Sequence, residues 1–157
     1  MPSLHPFLWF DTEAEEAARF YTSVFPHSRI LSVSHYGEAG PRPAGMVLTV
    51  DFELDGQRFT ALNGGPDFHF DEAISFVVGC ADQDEVDYYW SKLTEGGEES
   101  ACGWLKDRFG LSWQVVPQGF VEIITGPDPD RSNRAMKAMM GMKKLDLAAL
   151  QAAADGA

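Results

Sequence analysis

Basic residues are scarce in this chain. Twelve lysines and arginines stand against 24 aspartates and glutamates, for a formal net charge of −12 over 157 residues. A surface of that sign repels phosphate backbones and anionic membranes, which makes nucleic acid and lipid poor partners. It also disfavours an anionic ligand, unless a local basic pocket overrides the overall field. Cysteine is nearly absent. Cys80 and Cys102 lie outside any CxxC pair and are too few for a disulfide framework, so both are expected as buried thiols in a reducing compartment. No run approaches the length that crosses a bilayer, and the opening "MPSLHPFLWF" lacks the basic start and long apolar stretch of a signal peptide. The expectation is a soluble, cytoplasmic protein. No Ser/His/Asp, Cys/His or phosphate-loop arrangement is visible.

Apolar residues make up 45% of the chain, enough for one compact domain or for two small repeats sharing a core. "HPFLWF" reads as a strand. "DTEAEEAARFYTSVF" reads as a helix, with Thr12 and Glu15 as a capping box and Ala14, Ala17, Phe20, Tyr21 and Val24 at helical spacing. Pro26 stops it. "SRILSVSHY" is a strand, and "GEAGPRPAG" is a loop. "MVLTVDFEL" and "QRFTAL" flank Asp55-Gly56, a strong hairpin signal.

The second half follows the same order. "AISFVVG" is a strand. "ADQDEVDYYWSKL" is a helix capped by Asp82 and Glu85, with Val86, Tyr89, Trp90 and Leu93 as its buried stripe and Gly96-Gly97 at its end. A strand around "ESACGWLKD", a turn at Phe109-Gly110 and the strand "SWQVVP" complete it. A single offset pairs Phe7 with Phe76, Glu13 with Asp82, Glu16 with Glu85, Ala17 with Val86, Phe20 with Tyr89, Tyr21 with Trp90 and Val24 with Leu93. The shared phase and shared order of elements point to an internal repeat. The remaining stretch, from "GFVEIITGPDPD" onward, reads as two or three short helices. Met136, Met139, Met140 and Met142 cluster there, either covering their own domain or forming a dimer contact.

The stretches "PFLWFDTEAEEAARFYTSVFPHSRI", "FTALNGGPDFHF", "AISFVVGC", "DRFGLSWQVVP" and "KAMMGMKKLDLAALQAA" together resemble the PhnB-like family. That family is also labelled the "3-demethylubiquinone-9 3-methyltransferase domain", and it sits within the vicinal oxygen chelate (glyoxalase/bleomycin resistance/dioxygenase) superfamily. The resemblance implies a single α+β domain over 1–157, in which two βαβββ modules form a cup-shaped curved sheet. The modules would span about 4–65 and 72–118, with a C-terminal helical extension over 119–157. It also implies a homodimer.

In metal-dependent relatives four strand positions supply ligands. The resemblance maps them to His5, a position near Thr60, Ile74 or Ser75, and Gln114, the last standing where those relatives carry glutamate. One imidazole and one neutral amide hold a divalent ion weakly, so a metal is disfavoured and no cofactor is expected. His69 in "FHF" is a further weak candidate ligand beside His5 and Gln114, while His27 and His35 are given no role.

Side chains two apart on a strand share a face. If His5 faces the cup, so do Phe7 and Trp9. On the last strand Ser112, Gln114 and Val116 share one face, which leaves Trp113 as core. The expected ligand site is therefore His5, Phe7, Trp9, Asn63 and Gln114, with His5 the one plausible acid or base. Asn63, before Gly64-Gly65, equally suits turn chemistry. The expected function is binding of a small, partly apolar molecule in a metal-free cup. The alternatives are methyl transfer to a demethylated ubiquinol, as the family label says, and glyoxalase-like or dioxygenase-like metal chemistry.

Overall fold

The computed structural model describes residues 1–157, which divide into two compact units, Met1–Phe70 and Asp71–Ala157.

In the first unit, strand β1 (Phe7–Phe10) alternates, with Leu8 and Phe10 buried and Phe7 open. Helix α1 (Ala14–Val24) follows, then β2 (Arg29–His35), β3 (Val47–Leu54) and β4 (Gln57–Asn63). The sheet order is β1-β4-β3-β2, with β1 parallel to β4 and the other pairs antiparallel. Asp55 and Gly56 both hold positive φ (47° and 83°), the pattern of the tight hairpin turn that their sequence predicts. Helix α1 buries Ala14, Ala17, Ala18, Tyr21 and Val24, and Tyr21 stacks on Phe52 with centroids 6.2 Å apart. Phe52 stacks in turn on Phe59 at 5.4 Å. Phe20, at the same helical spacing, is only half-buried.

The expected Thr12–Glu15 capping box does not form. Glu13 is the N-cap and makes no side-chain cap bond. Asn63 caps the helix instead, from the far end of β4: its Oδ1 accepts from the Ala14 N–H at 2.8 Å. An orphan donor of the first turn is thus satisfied by a side chain 49 residues away.

The second unit opens with β5 (Ser75–Cys80) and α2 (Gln83–Thr94). Here the cap is local, as the sequence predicts: Asp82 Oδ1 accepts from the Glu85 N–H at 2.9 Å, and Glu85 Oε2 accepts from the Ala81 N–H at 2.8 Å. Val86, Trp90 and Leu93 are buried, while Tyr89, the counterpart of Phe20, is again half-buried. The single strand expected around "ESACGWLKD" is two strands, β6 (Glu98–Glu99) and β7 (Trp104–Lys106). Cys102 and Gly103 take positive φ (59° and 85°), which turns the chain back on itself between them. With β8 (Ser112–Pro117) the sheet order is β5-β8-β7-β6, the same plan as the first unit. Asp107, 3% exposed, organises the last turn: Oδ1 accepts from Phe109 N and Leu111 N, and Oδ2 from Trp113 Nε1 at 2.9 Å.

The C-terminal segment is three helices, α3 (Phe120–Thr125), α4 (Pro129–Met139) and α5 (Leu147–Ala154), within the second unit. Phe120, Leu145 and Leu150 form their core, with Val116, Met139 and Met142 packed against it. Gln83, the first residue of α2, clamps this segment. Its Nε2 donates to Leu145 O and its Oε1 accepts from Leu147 N, both at 2.9 Å. Of the clustered methionines, Met136 and Met140 stay exposed.

The repeat is real but its offset is not single. Ala14 and Gln83 begin the two helices, 69 positions apart, whereas Phe10 and Cys80 end the two strands, 70 apart. Three residues link β1 to α1 and two link β5 to α2. Phe7 therefore corresponds to Val77, which is likewise exposed, and not to Phe76, which points at Trp113 on the helix side. A one-residue slip moves a strand residue to the opposite face.

Candidate functional site

With that correction the counterpart of His5 is Ser75, and the counterpart of Thr60 is Gln114. Thr60 lies across from Phe7, and Gln114 lies across from Val77. Each unit then carries the same diagonal hydrogen bond. His5 Nε2 meets Thr60 Oγ1 at 3.0 Å, and Gln114 Nε2 donates to Ser75 Oγ at 2.9 Å.

In the first unit the bond belongs to a longer row. Register places Phe7, Thr60, Asp51 and Ser32 side by side across β1, β4, β3 and β2. These residues lie on the face away from α1. Thr60 Oγ1 donates to Asp51 Oδ1 at 2.6 Å, and Asp51 Oδ2 accepts from Arg58 Nη2 at 3.0 Å and Ser32 Oγ at 3.3 Å. The Thr60 hydroxyl, aided by the Arg58 guanidinium and Ser32, holds the Asp51 carboxyl below its ordinary value against the opposing effect of burial. His5 is half-buried at the head of the row.

Aromatic surface flanks this row. Phe7 is 58% exposed and Phe68 is 63% exposed. Trp9, two residues along from Phe7, is half-buried with Phe68 edge-on to it at 4.9 Å. Its Nε1 donates to Gly65 O at 2.8 Å. Gly64 lies directly over the indole, where a Cβ would come within 2.5 Å of the ring. The two glycines of "NGGP" thus let the chain close over Trp9.

Asn63 is not on this face. It is 3% exposed, its Oδ1 caps α1, and its Nδ2 donates to Val47 O at 3.0 Å. Asn63, expected as a ligand contact, is held here by structural bonds: β4 alternation turns it toward the helix while Thr60 and Leu62 turn the other way. His69 is exposed, as are His27 and His35.

In the second unit, the face away from α2 carries Gln114, Ser75, Val77 and Trp104. A pocket of about 130 Å³ lies at its edge, lined by Glu72, Glu98, Glu99, Trp104, Lys106 and Ser112. Lys106 pairs with Glu72, and that bond raises the lysine's pKa and lowers the glutamate's. A wider hollow of about 530 Å³ is bounded by Val77, Gly79, Val116 and Val121. Neither pocket is legible in the sequence, because each depends on how β6 or α3 meets the sheet.

Neither polar pair suits a divalent metal. The first offers an imidazole and a hydroxyl, and the second a hydroxyl and an amide. A dication needs anionic oxygens or several imidazoles to offset its lost hydration. Asp51 is turned toward Arg58 and Thr60, and no group of three or more His, Cys, Asp or Glu side chains is placed to hold a metal ion. The glycine pairs do not build a methyl-donor site of the usual strand-to-helix kind either. Gly64-Gly65 follows β4 into a loop, and Gly96-Gly97 follows α2, so neither opens a helix.

The comparisons fit this geometry. A Bacillus cereus PhnB protein, described as a 3-demethylubiquinone-9 3-methyltransferase, is 36% identical, with a TM-score of 0.68 over 74% of this chain and 99% of its own. Protein PA1353 from Pseudomonas aeruginosa is 19% identical, with a TM-score of 0.61 over 74% of this chain and 98% of its own. The fosfomycin resistance protein FosX from Listeria monocytogenes, in complex with Mn(II) and sulfate, is 12% identical, with a TM-score of 0.53 over 74% of this chain and 89% of its own. At that identity FosX shares the fold alone, the α+β glyoxalase/bleomycin resistance fold built of two βαβββ modules. No curated protein matches. The family model described as 3-demethylubiquinone-9 3-methyltransferase matches residues 2–116, and the chain belongs to that PhnB-like family of the vicinal oxygen chelate superfamily.

Proposed function

We propose that the protein binds a small, partly aromatic molecule without a metal, on the open face of the first sheet. One observation carries the reading: two strongly exposed aromatic rings, Phe7 and Phe68, stand beside Trp9 and a hydrogen-bonded imidazole, His5. Contiguous exposed apolar area marks an interaction site, and placed polar groups beside it orient the ligand. In the second unit Gln114 is the polar counterpart. If a proton moves, His5 moves it, because an imidazole nitrogen can both take up and give back a proton. Titration of the full chain with small aromatics, read by thermal shift and by chemical shifts of the Phe7 and Trp9 rings, tests this. A stabilising ligand whose effect is lost in Phe7→Ala supports it; no response across the series refutes it.

The family's description supports a second reading, methyl transfer to a demethylated ubiquinol. Stabilisation by S-adenosylmethionine in the same screen favours it. A homodimer is proposed as well, supported by the exposed apolar side chains Ile74, Val77, Val121 and Met140, and light scattering tests it. No helix is long and apolar enough to cross a membrane.

A further inference from the structure

A hydroxyl has one proton, and in the first unit Thr60 has two neighbours that could claim it. His5 Nε2 lies 3.0 Å from Thr60 Oγ1 on one side, and Asp51 Oδ1 lies 2.6 Å from it on the other. Asp51 settles the direction. Its second oxygen accepts from Arg58 and Ser32, and its lowered pKa keeps it ionised, so it has no proton to give. The Thr60 proton therefore points to Asp51. What Thr60 turns toward His5 is a lone pair, and Nε2 must supply the hydrogen. A neutral imidazole protonated at Nε2 carries its lone pair at Nδ1. Nothing in the unit hydrogen-bonds to Nδ1.

We infer that Thr60 and Asp51 are positioning residues that lock His5 in the Nε2–H tautomer and leave Nδ1, two residues before Phe7 in the chain, as a hydrogen-bond acceptor. The ligand matching such an acceptor carries an O–H or N–H donor on an aromatic frame, as a phenol does. An aromatic whose oxygen is capped by a methyl group lacks the donor. The ligand half rests on the small-molecule reading above; the tautomer half does not.

The two halves are tested separately. The full chain, labelled with ¹⁵N, is held at about pH 8.5, well above the ordinary histidine value of about 6.5. Long-range ¹⁵N–¹H correlations then show which ring nitrogen is protonated, with His5 identified by its loss in His5→Gln. Wild type is expected to show Nε2–H. Thr60→Val should release a mixture of tautomers, and Thr60→Ser should restore the wild-type spectrum. In Asp51→Asn the new amide can donate to Thr60, which frees the Thr60 proton for His5 and shifts the ring toward Nδ1–H. A wild-type ring protonated at Nδ1, or one unmoved by Thr60→Val, overturns the inference. For the ligand, phenol and anisole are titrated in parallel. Phenol is expected to bind about fivefold tighter, one ordinary hydrogen bond's worth. Equal affinities overturn the donor requirement. Binding of neither removes the ligand half together with the reading it rests on, and leaves the tautomer result standing.

Discussion

The amide of Gln114 donates to Ser75 as the imidazole of His5 meets Thr60, each bond running diagonally from the segment that opens its unit to the strand paired with the unit's first strand. One duplicated backbone plan thus holds two different chemistries. Only the first unit backs its bond with a carboxylate, Asp51. The second ends at Ser75, so the titratable side of the candidate chemistry belongs to the first unit.

Asn63 joins β4 to α1 and to β3 through both ends of its amide. Asn63→Ala should cost about 2–3 kcal/mol, combining a lost helix cap with an unpaired Val47 carbonyl. Asn63→Asp keeps the acceptor for Ala14 and should recover part of that loss. Urea denaturation of the three proteins measures it.

Asp51 makes stability depend on acid. Its pKa is lower folded than unfolded, so the folded state keeps the carboxylate charged where the unfolded chain takes up a proton. That contribution is complete above the ordinary aspartate value of about 4 and disappears as pH falls through the lower folded value. The Asp51 side chain is 24% exposed, and screening limits the effect to about 1 kcal/mol or less. Melting temperatures between about pH 6 and 3 should fall less steeply in Asp51→Asn.

The two thiols should react unequally. Burial, reinforced by Glu85 and Asp82, pushes the Cys80 thiol up to about 11, and the residue is 2% exposed. Cys102 is half-buried, with its thiol against Met139 O at 3.7 Å. A disulfide-exchange reagent at neutral pH should modify Cys102 in the native protein, and Cys80 only after denaturation. Mass spectrometry of peptides from the labelled chain distinguishes them.

Gln83→Ala removes the clamp on the C-terminal helices. Amide exchange over residues 143–150 should speed up by about tenfold, and Gln83→Glu should not rescue it, because Leu145 O needs a donor.

Element order in the first unit, the hairpin at Asp55-Gly56, the α2 cap and the inward Trp113 are all legible in the sequence, because each rests on local periodicity or local cap chemistry. The α1 cap is not: Asn63 reaches Ala14 only once β4 lies beside β1. The strand phase escapes for a similar reason. Both helix stripes share one offset, and nothing in the residues themselves marks the one-residue shorter link before α2. That link decides between Ile74 and Ser75 as the counterpart of His5. Asp51 escapes as well. In "VLTVDFEL" it reads as an outward charge, and its link to His5 through Thr60 needs the register of three strands.

Gly103 marks where the family boundary and the folding boundary part. The family match ends at residue 116, yet the Gly103 N–H donates to Lys143 O and the Cys102 N–H to Met142 O. A Cβ on Gly103 would strike Leu145 at 2.9 Å. A polypeptide stopped at 116 would strand those amides, empty the groove that Leu145 fills and bare Val116 to water. The last forty or so residues therefore act as a lid nailed onto the second half, and trimming to the family's limits would yield a sticky, half-finished protein.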